Sequence, residues 1–269
     1  MPYVSSDGAE IYFETHGEGP AVVLAHGAEG NALSWFQQVP IFAKHYRTVL
    51  CEHRGFGRST CSREALQPSK FGADLLAVMT ALEIDRAPIV AQSMAGWSAM
   101  QAALAAPQRI SSVVLVATSG GLAAPAGGDA PPAVDPLPLA GRLSQLALAP
   151  SFPVREPALA WLFDQVSMHN KNIELLAGRL GLVENLIRPE ALAGYTTPTM
   201  VVACDQDTFF PLDLLERVAA MIPGAGYVTI PQSGHAPYWE TPAEFNDMVL
   251  KFVGEHGGGQ ATQRPVANR

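Results

Sequence analysis

Three short stretches carry residues able to pass a proton between them. They are Gln92-Ser93-Met94, Asp205-Gln206-Asp207 and Ser233-Gly234-His235-Ala236-Pro237. A serine hydroxyl is a weak nucleophile at neutral pH and needs a base beside it. An imidazole can be that base, and a carboxylate can hold the imidazole in one tautomer. Each residue also has a plainer reading. Ser93 between small residues can be a helix N-cap. An acid after a strand can sit at the start of a helix. Of seven histidines, His16, His45 and His256 read as surface positions, His53 as structural and His169 as open to substrate or solvent. His235 best fits a loop at the end of a strand.

The elements around these residues must supply the geometry. The apolar run Ala87–Ala91 drives into Gln92 and Ser93, and a helix-like stretch runs on from Trp97 to Ala106. A serine wedged between a buried strand and a helix sits on a sharp turn with its hydroxyl pointing off the sheet. The acid pair follows the strand-like run Thr199–Cys204, and His235 follows Tyr227–Ile230. In a parallel sheet these positions share the carboxyl edge, where such sheets place ligands.

The rest of the chain reads as further strand and helix alternation. Tyr3–Val4 and Glu10–Thr15 flank the hairpin signal Asp7-Gly8. Ala21–Ala25, Thr48–Cys51 and Val113–Ala117 read as buried strands. Helical spacing appears at Leu33–Lys44, Lys70–Leu82, Leu212–Met221 and Pro242–Val253. Such alternation predicts a mostly parallel sheet with helices on both faces. The pattern breaks at Gly120. Ala123–Pro138 reads as a Pro- and Gly-rich linker, and Leu139–Ala149, Pro157–His169 and Asn172–Leu186 read as helices. The expected organisation is an α/β core of residues 1–120 and 196–256, a helical cap insertion at 121–195, and a disordered tail at 257–269.

Composition narrows the partners. The 269 residues are 48% apolar, enough for one large domain core, and the net charge is −8. That charge argues against a nucleic acid or an anionic membrane as partner. The three cysteines, Cys51, Cys61 and Cys204, have no metal-ligand spacing and read as reduced thiols. The N-terminus lacks the basic and apolar regions of a signal peptide, and no apolar run spans a bilayer. A cytoplasmic protein is expected. No metal or cofactor is implied, because Gly55-Phe56-Gly57 lacks the third glycine and helix context of a dinucleotide loop.

One more stretch completes the set. His26-Gly27-Ala28 ends the strand Ala21–Ala25, and Gly27 permits a tight turn that presents the next N–H. With the N–H of Met94 it can form an oxyanion hole, although an ordinary glycine turn also fits. The order is then Ser, Asp, His, each after its own strand. With Arg54-Gly55-Phe56-Gly57-Arg58-Ser59 and Glu240-Thr241-Pro242-Ala243-Glu244-Phe245, the chain resembles the α/β-hydrolase superfamily over nearly its full length.

The resemblance implies that Ser93 is the nucleophile, His235 the base and Asp207 the orienting acid, with Asp205 the alternative. It implies an oxyanion hole from the N–H groups of Ala28 and Met94. A serine hydrolase of a small or medium carboxylic ester or lactone is expected, acting through an acyl-enzyme. Carbon–carbon cleavage in a diketone-type substrate and a non-hydrolytic small-molecule receptor are the alternatives. The serine disfavours relatives that use an aspartate nucleophile on epoxides or halides. The expected pocket residues are Glu29, Trp35, Trp161, Met168 and Trp239. The partner expected is a small molecule, and the oligomeric state, monomer or homodimer, stays open. Two departures from the family pattern stand out. Ala91 and Ala95 replace the glycines flanking the serine, and Glu29 sits beside the oxyanion turn. A carboxylate facing a developing oxyanion would oppose it. Glu29 is therefore expected to point away or to bind a positive group.

Overall fold

The computed structural model describes residues 2–123, 143–170, 172–180 and 182–257. Most of the linker Ala123–Pro138, the start of the helix expected at Leu139 and nearly all of the tail lie outside the described residues.

The chain opens with β1 (Tyr3–Ser6) and β2 (Ala9–His16), joined at Asp7-Gly8 as an antiparallel hairpin that pairs Ser6 with Ala9. Both turn residues have positive φ, 37° and 79°, the geometry of a two-residue turn that matches strand twist. Next come β3 (Ala21–Ala25), a 3₁₀ turn (Ala32–Trp35) and the short helix α1 (Val39–Phe42). The single helix expected over Leu33–Lys44 is thus broken. Pro40 has no N–H to continue a helix begun at residue 33, so the helical bonds restart beyond it.

β4 (Arg47–Cys51), the two-residue β5 (Thr60–Cys61) and α2 (Phe71–Ala81) lead into β6 (Ala87–Gln92), α3 (Ala95–Ala105) and β7 (Ile110–Val116). After β7 the described residues hold α4 (Leu143–Ala147), α5 (Phe152–Arg155), α6 (Pro157–Met168) and α7 (Ile173–Leu180). Apart from one isolated bridge between Leu122 and Ile187, no strand pairing occurs there. The chain then returns through β8 (Thr199–Cys204), α8 (Leu212–Met221), β9 (Gly226–Ile230), α9 (Pro237–Glu240) and α10 (Pro242–His256).

The strands form one sheet in the order β1-β2-β4-β3-β6-β7-β8-β9, with β5 on β2. It is antiparallel among β1, β2 and β4, and parallel from β4 through β9. Alternate residues of one strand feed opposite faces. Val22, Leu24, Val90, Val114 and Val202 join a core with Trp35, Trp239, Phe245 and Phe163. Val23, Ala25, Ile89, Ala91, Val113 and Val201 join the other, with side chains of α2, α3 and α8. Every residue of β6, β7 and β8 is buried, as a parallel sheet covered on both faces requires. Among the described residues no helix is long and apolar enough to cross a membrane.

Candidate active site

The buried strand β6 ends in a residue forced into the left-handed region. Ser93 has a φ of 51°, a conformation that costs a non-glycine residue roughly 1–2 kcal/mol. Its N–H is held by the carbonyl of Val116 at 2.9 Å, and its carbonyl accepts the N–H of Gly96 at 2.9 Å. The flanking Ala91 and Ala95 are fully buried and pack in the core with their methyl groups. The position that admits no side chain is Gly96. A Cβ there would stand 2.7 Å from Thr118 Cγ2 and 3.0 Å from Gly120 Cα. The close approach that usually demands glycine beside the serine has moved one residue along the helix.

Ser93 is not a helix cap. Met94 occupies the N-cap of α3, and no side chain caps it. The Ser93 hydroxyl instead lies 2.8 Å from His235 Nε2, across 142 residues of sequence. His235 Nδ1 lies 2.9 Å from Asp207 Oδ2. A carboxylate only accepts, so Nδ1 carries the hydrogen and Nε2 is free to accept from the hydroxyl. The other Asp207 oxygen, Oδ1, accepts the N–H groups of Phe209 and Phe210 at 2.8 and 3.1 Å. Those two rings also pack on the imidazole, with centroids at 4.9 and 5.6 Å. Asp205 is exposed and turns to the backbone of Ser233, so the alternative acid is not the one beside His235.

Burial opposes a charge on His235. The Asp207 carboxylate outweighs that by charge and hydrogen bond, and Glu29 and Glu240 add to it. The imidazole is therefore held above its ordinary value. The arrangement can take a proton from Ser93 onto an imidazole whose charged form is stabilised. Cys204 is not a competing nucleophile, because burial pushes its thiol well above the ordinary range.

The turn after β3 is built by a second buried histidine. The His26 ring bonds through Nδ1 to the carbonyl of Gly27 at 2.6 Å, and Nε2 accepts the N–H of His53 at 3.2 Å. Burial holds His26 below its ordinary value, which suits this neutral, one-donor role. Gly30 N–H closes the turn on Gly27 O at 3.0 Å. Among the described residues, the N–H groups of Ala28 and Met94 find no protein acceptor. Asn170, just past α6, braces the turn. Its amide donates to Gly30 O at 2.8 Å and accepts Gly57 N–H at 3.2 Å.

Glu29 does not point away. It is 4% exposed, and its carboxylate folds back over Gly27, where a Cβ would stand 2.7 and 2.9 Å from its two oxygens. Glu29 lies inside the turn that Gly30 closes on Gly27. Among the described residues it forms no ion pair, and Oε1 has no hydrogen-bond partner.

The other expected pocket residues separate into core and surface. Trp35 is buried in the core, its ring 4.8 Å from that of Tyr238. Trp239 is buried against Phe36 and Phe163, and its indole N–H donates to Leu159 O at 3.2 Å. Trp161 and Met168 are 63% and 66% exposed. They lie seven residues apart on one face of α6, while Ala160, Phe163 and Val166 turn the opposite face inward.

Two further residues beside the triad hold the His235 loop. Gln92 donates its amide to His235 O at 3.0 Å, and Glu240 accepts from Gly234 N–H at 2.9 Å. A polar residue closing an apolar strand was the available signal for Gln92. For Glu240 the sequence offers only its place in the closing motif. Among the described residues no three His, Cys, Asp or Glu side chains cluster as a metal site.

Known proteins resemble this chain along most of its length. A protein of Azorhizobium caulinodans named for carbamate hydrolysis is 28% identical, the match covering 95% of this chain and 99% of its own. The 2-hydroxy-6-oxononadienedioate/2-hydroxy-6-oxononatrienedioate hydrolase of Cupriavidus pinatubonensis is 31% identical over 92% of this chain and 88% of its own. Among solved structures, Est816, described as an N-acyl homoserine lactone degrading enzyme, superimposes with a TM-score of 0.80 at 28% identity. That match covers 94% of this chain and all of the other. The family model of the alpha/beta hydrolase fold matches residues 20–242. The chain belongs to the α/β-hydrolase family.

Proposed function

We propose that the protein is a serine hydrolase that cleaves a small or medium carboxylic ester or lactone through an acyl-enzyme. The carrying observation is the unbroken path from Ser93 Oγ through His235 to Asp207, at 2.8 and 2.9 Å. Ser93 attacks the carbonyl carbon while His235 Nε2 takes the hydroxyl proton. The same proton then goes to the leaving alkoxide, and the acyl group stays on Ser93. Water, deprotonated by His235, releases the acid and returns the proton to Ser93. The N–H groups of Ala28 and Met94 hold the oxyanion, each lowering the barrier by about 3–4 kcal/mol. The helices between β7 and β8 act as a cap that selects substrates.

Hydrolysis of a chain-length series of p-nitrophenyl esters and lactones tests this reading. Turnover that vanishes in Ser93→Ala supports it, and turnover that survives contradicts it.

A second reading is cleavage of a carbon–carbon bond beside a ketone. It is favoured by the 31% identity to the Cupriavidus pinatubonensis hydrolase, whose name describes an oxo-dienedioate substrate. Turnover of a vinylogous diketone without turnover of simple esters selects this reading.

A further inference from the structure

Glu240 is a buried acid with no part in the proton path. Its two oxygens accept backbone N–H groups from two different segments. Oε1 takes Gly234 N–H at 2.9 Å, and Oε2 takes Ala149 N–H at 2.8 Å. Gly234 precedes His235. Ala149 lies just past α4, in the helical segment between β7 and β8. The same two regions touch again nearby. His235 N–H donates to Ala147 O at 2.6 Å, and Thr208, beside Asp207, donates its hydroxyl to Leu146 O at 2.7 Å. The fit at Gly234 is tight, since a Cβ there would stand 2.5 Å from both Ala147 O and Ala149 N.

Two donors on separate segments need two acceptors on one rigid group. A carboxylate has two acceptor oxygens and no donor, whereas an amide would turn its NH₂ toward one of the N–H groups. Burial pushes Glu240 up to about 7, against the pull of the Ala149 and Gly234 N–H groups. The site thus retains a carboxyl group where an apolar side chain would be easier to bury.

We propose that Glu240 is a positioning residue that joins the His235 loop to residues 146–149 and so fixes where His235 Nε2 stands relative to Ser93. The proposal rests on the reading of Ser93 and His235 as nucleophile and base. A displacement of about 1 Å at such a base can cost on the order of 10²-fold in rate.

The test compares wild type, Ser93→Ala, Glu240→Gln and Thr208→Val on a p-nitrophenyl ester, with kcat normalised to titrated active sites. Glu240→Gln is expected to lower kcat by about 10- to 100-fold with KM within about twofold of wild type. Thr208→Val removes a companion bond without touching the buried acid. It is expected to lower kcat by a smaller factor, in the same direction and again at constant KM. A Glu240→Gln kcat per active site within twofold of wild type overturns the proposal. So does a Glu240→Gln protein that does not fold while Thr208→Val keeps wild-type kcat. Activity surviving in Ser93→Ala overturns the underlying reading instead, so the two failures are distinguishable.

Discussion

Gln92 and His235 are 143 residues apart in sequence, yet the side-chain amide of Gln92 donates to the main-chain carbonyl of His235 at 3.0 Å. Gln92 is completely buried and immediately precedes Ser93. Its Oε1 sits against Gly27, where a Cβ would overlap it. One side chain therefore touches the serine elbow, the histidine loop and the turn after β3. Replacing it with methionine keeps the length but removes the donor and leaves the His235 carbonyl unpartnered, at a cost of about 1–3 kcal/mol. Gln92→Met is expected to lower kcat about tenfold with little change in KM, measured by steady-state ester hydrolysis.

The pH profile follows from the raised His235. Proton abstraction needs the neutral ring, so activity is absent below the His235 value and rises through it. The acid limb of kcat/KM is expected above the ordinary imidazole range, since Asp207, Glu29 and Glu240 together outweigh the effect of burial. Asp207→Asn removes the largest opposing contribution. The limb should move to lower pH, and kcat should fall by up to about 10⁴-fold. Glu29→Gln should move the limb in the same direction by a smaller amount. A pH series on the three proteins checks the order.

Much of this site was legible in the sequence because its chemistry lies at strand ends. Ser93, Asp207 and His235 each follow a short apolar run, and their order was readable without knowing any distance. The choice of Asp207 over Asp205 was carried by family resemblance, and the Phe209 and Phe210 N–H groups supply a physical reason for it. Side-chain direction was not legible. Trp161 and Met168 are apolar residues in an amphipathic helix, and residue type alone does not say which face is wet. For Glu29, residue type alone left open whether its carboxylate turns out or lies over Gly27. The roles of Gln92 and Glu240 depend on contacts 143 and 91 residues away, which no local pattern encodes.

Arg54 and Asp74 form the most deeply buried ion pair among the described residues, with Nε–Oδ2 at 2.7 Å and Nη2–Oδ1 at 2.6 Å. Arg54 also donates to the carbonyls of Ser6 and Ala65, so it ties the first hairpin and the loop after β5 to α2. Removing one partner strands the other charge. Arg54→Met is expected to destabilise the fold by about 3–5 kcal/mol, read by chemical denaturation.

Gly96 is the tightest point of the elbow. Gly96→Ala forces a methyl against Thr118 and Gly120, an overpacking cost of about 1–3 kcal/mol. A thermal melt should show the loss, together with a fall in kcat, because the same shift moves Ser93.

Ser93 as a nucleophile activated by His235 can be trapped covalently. Covalent labelling with a fluorophosphonate, read by intact-mass and peptide mass spectrometry, tests it most directly. A single adduct on Ser93 is expected, with no adduct in Ser93→Ala and labelling slowed by orders of magnitude in His235→Ala. An adduct on another residue, or labelling of Ser93 at the wild-type rate without His235, would contradict it.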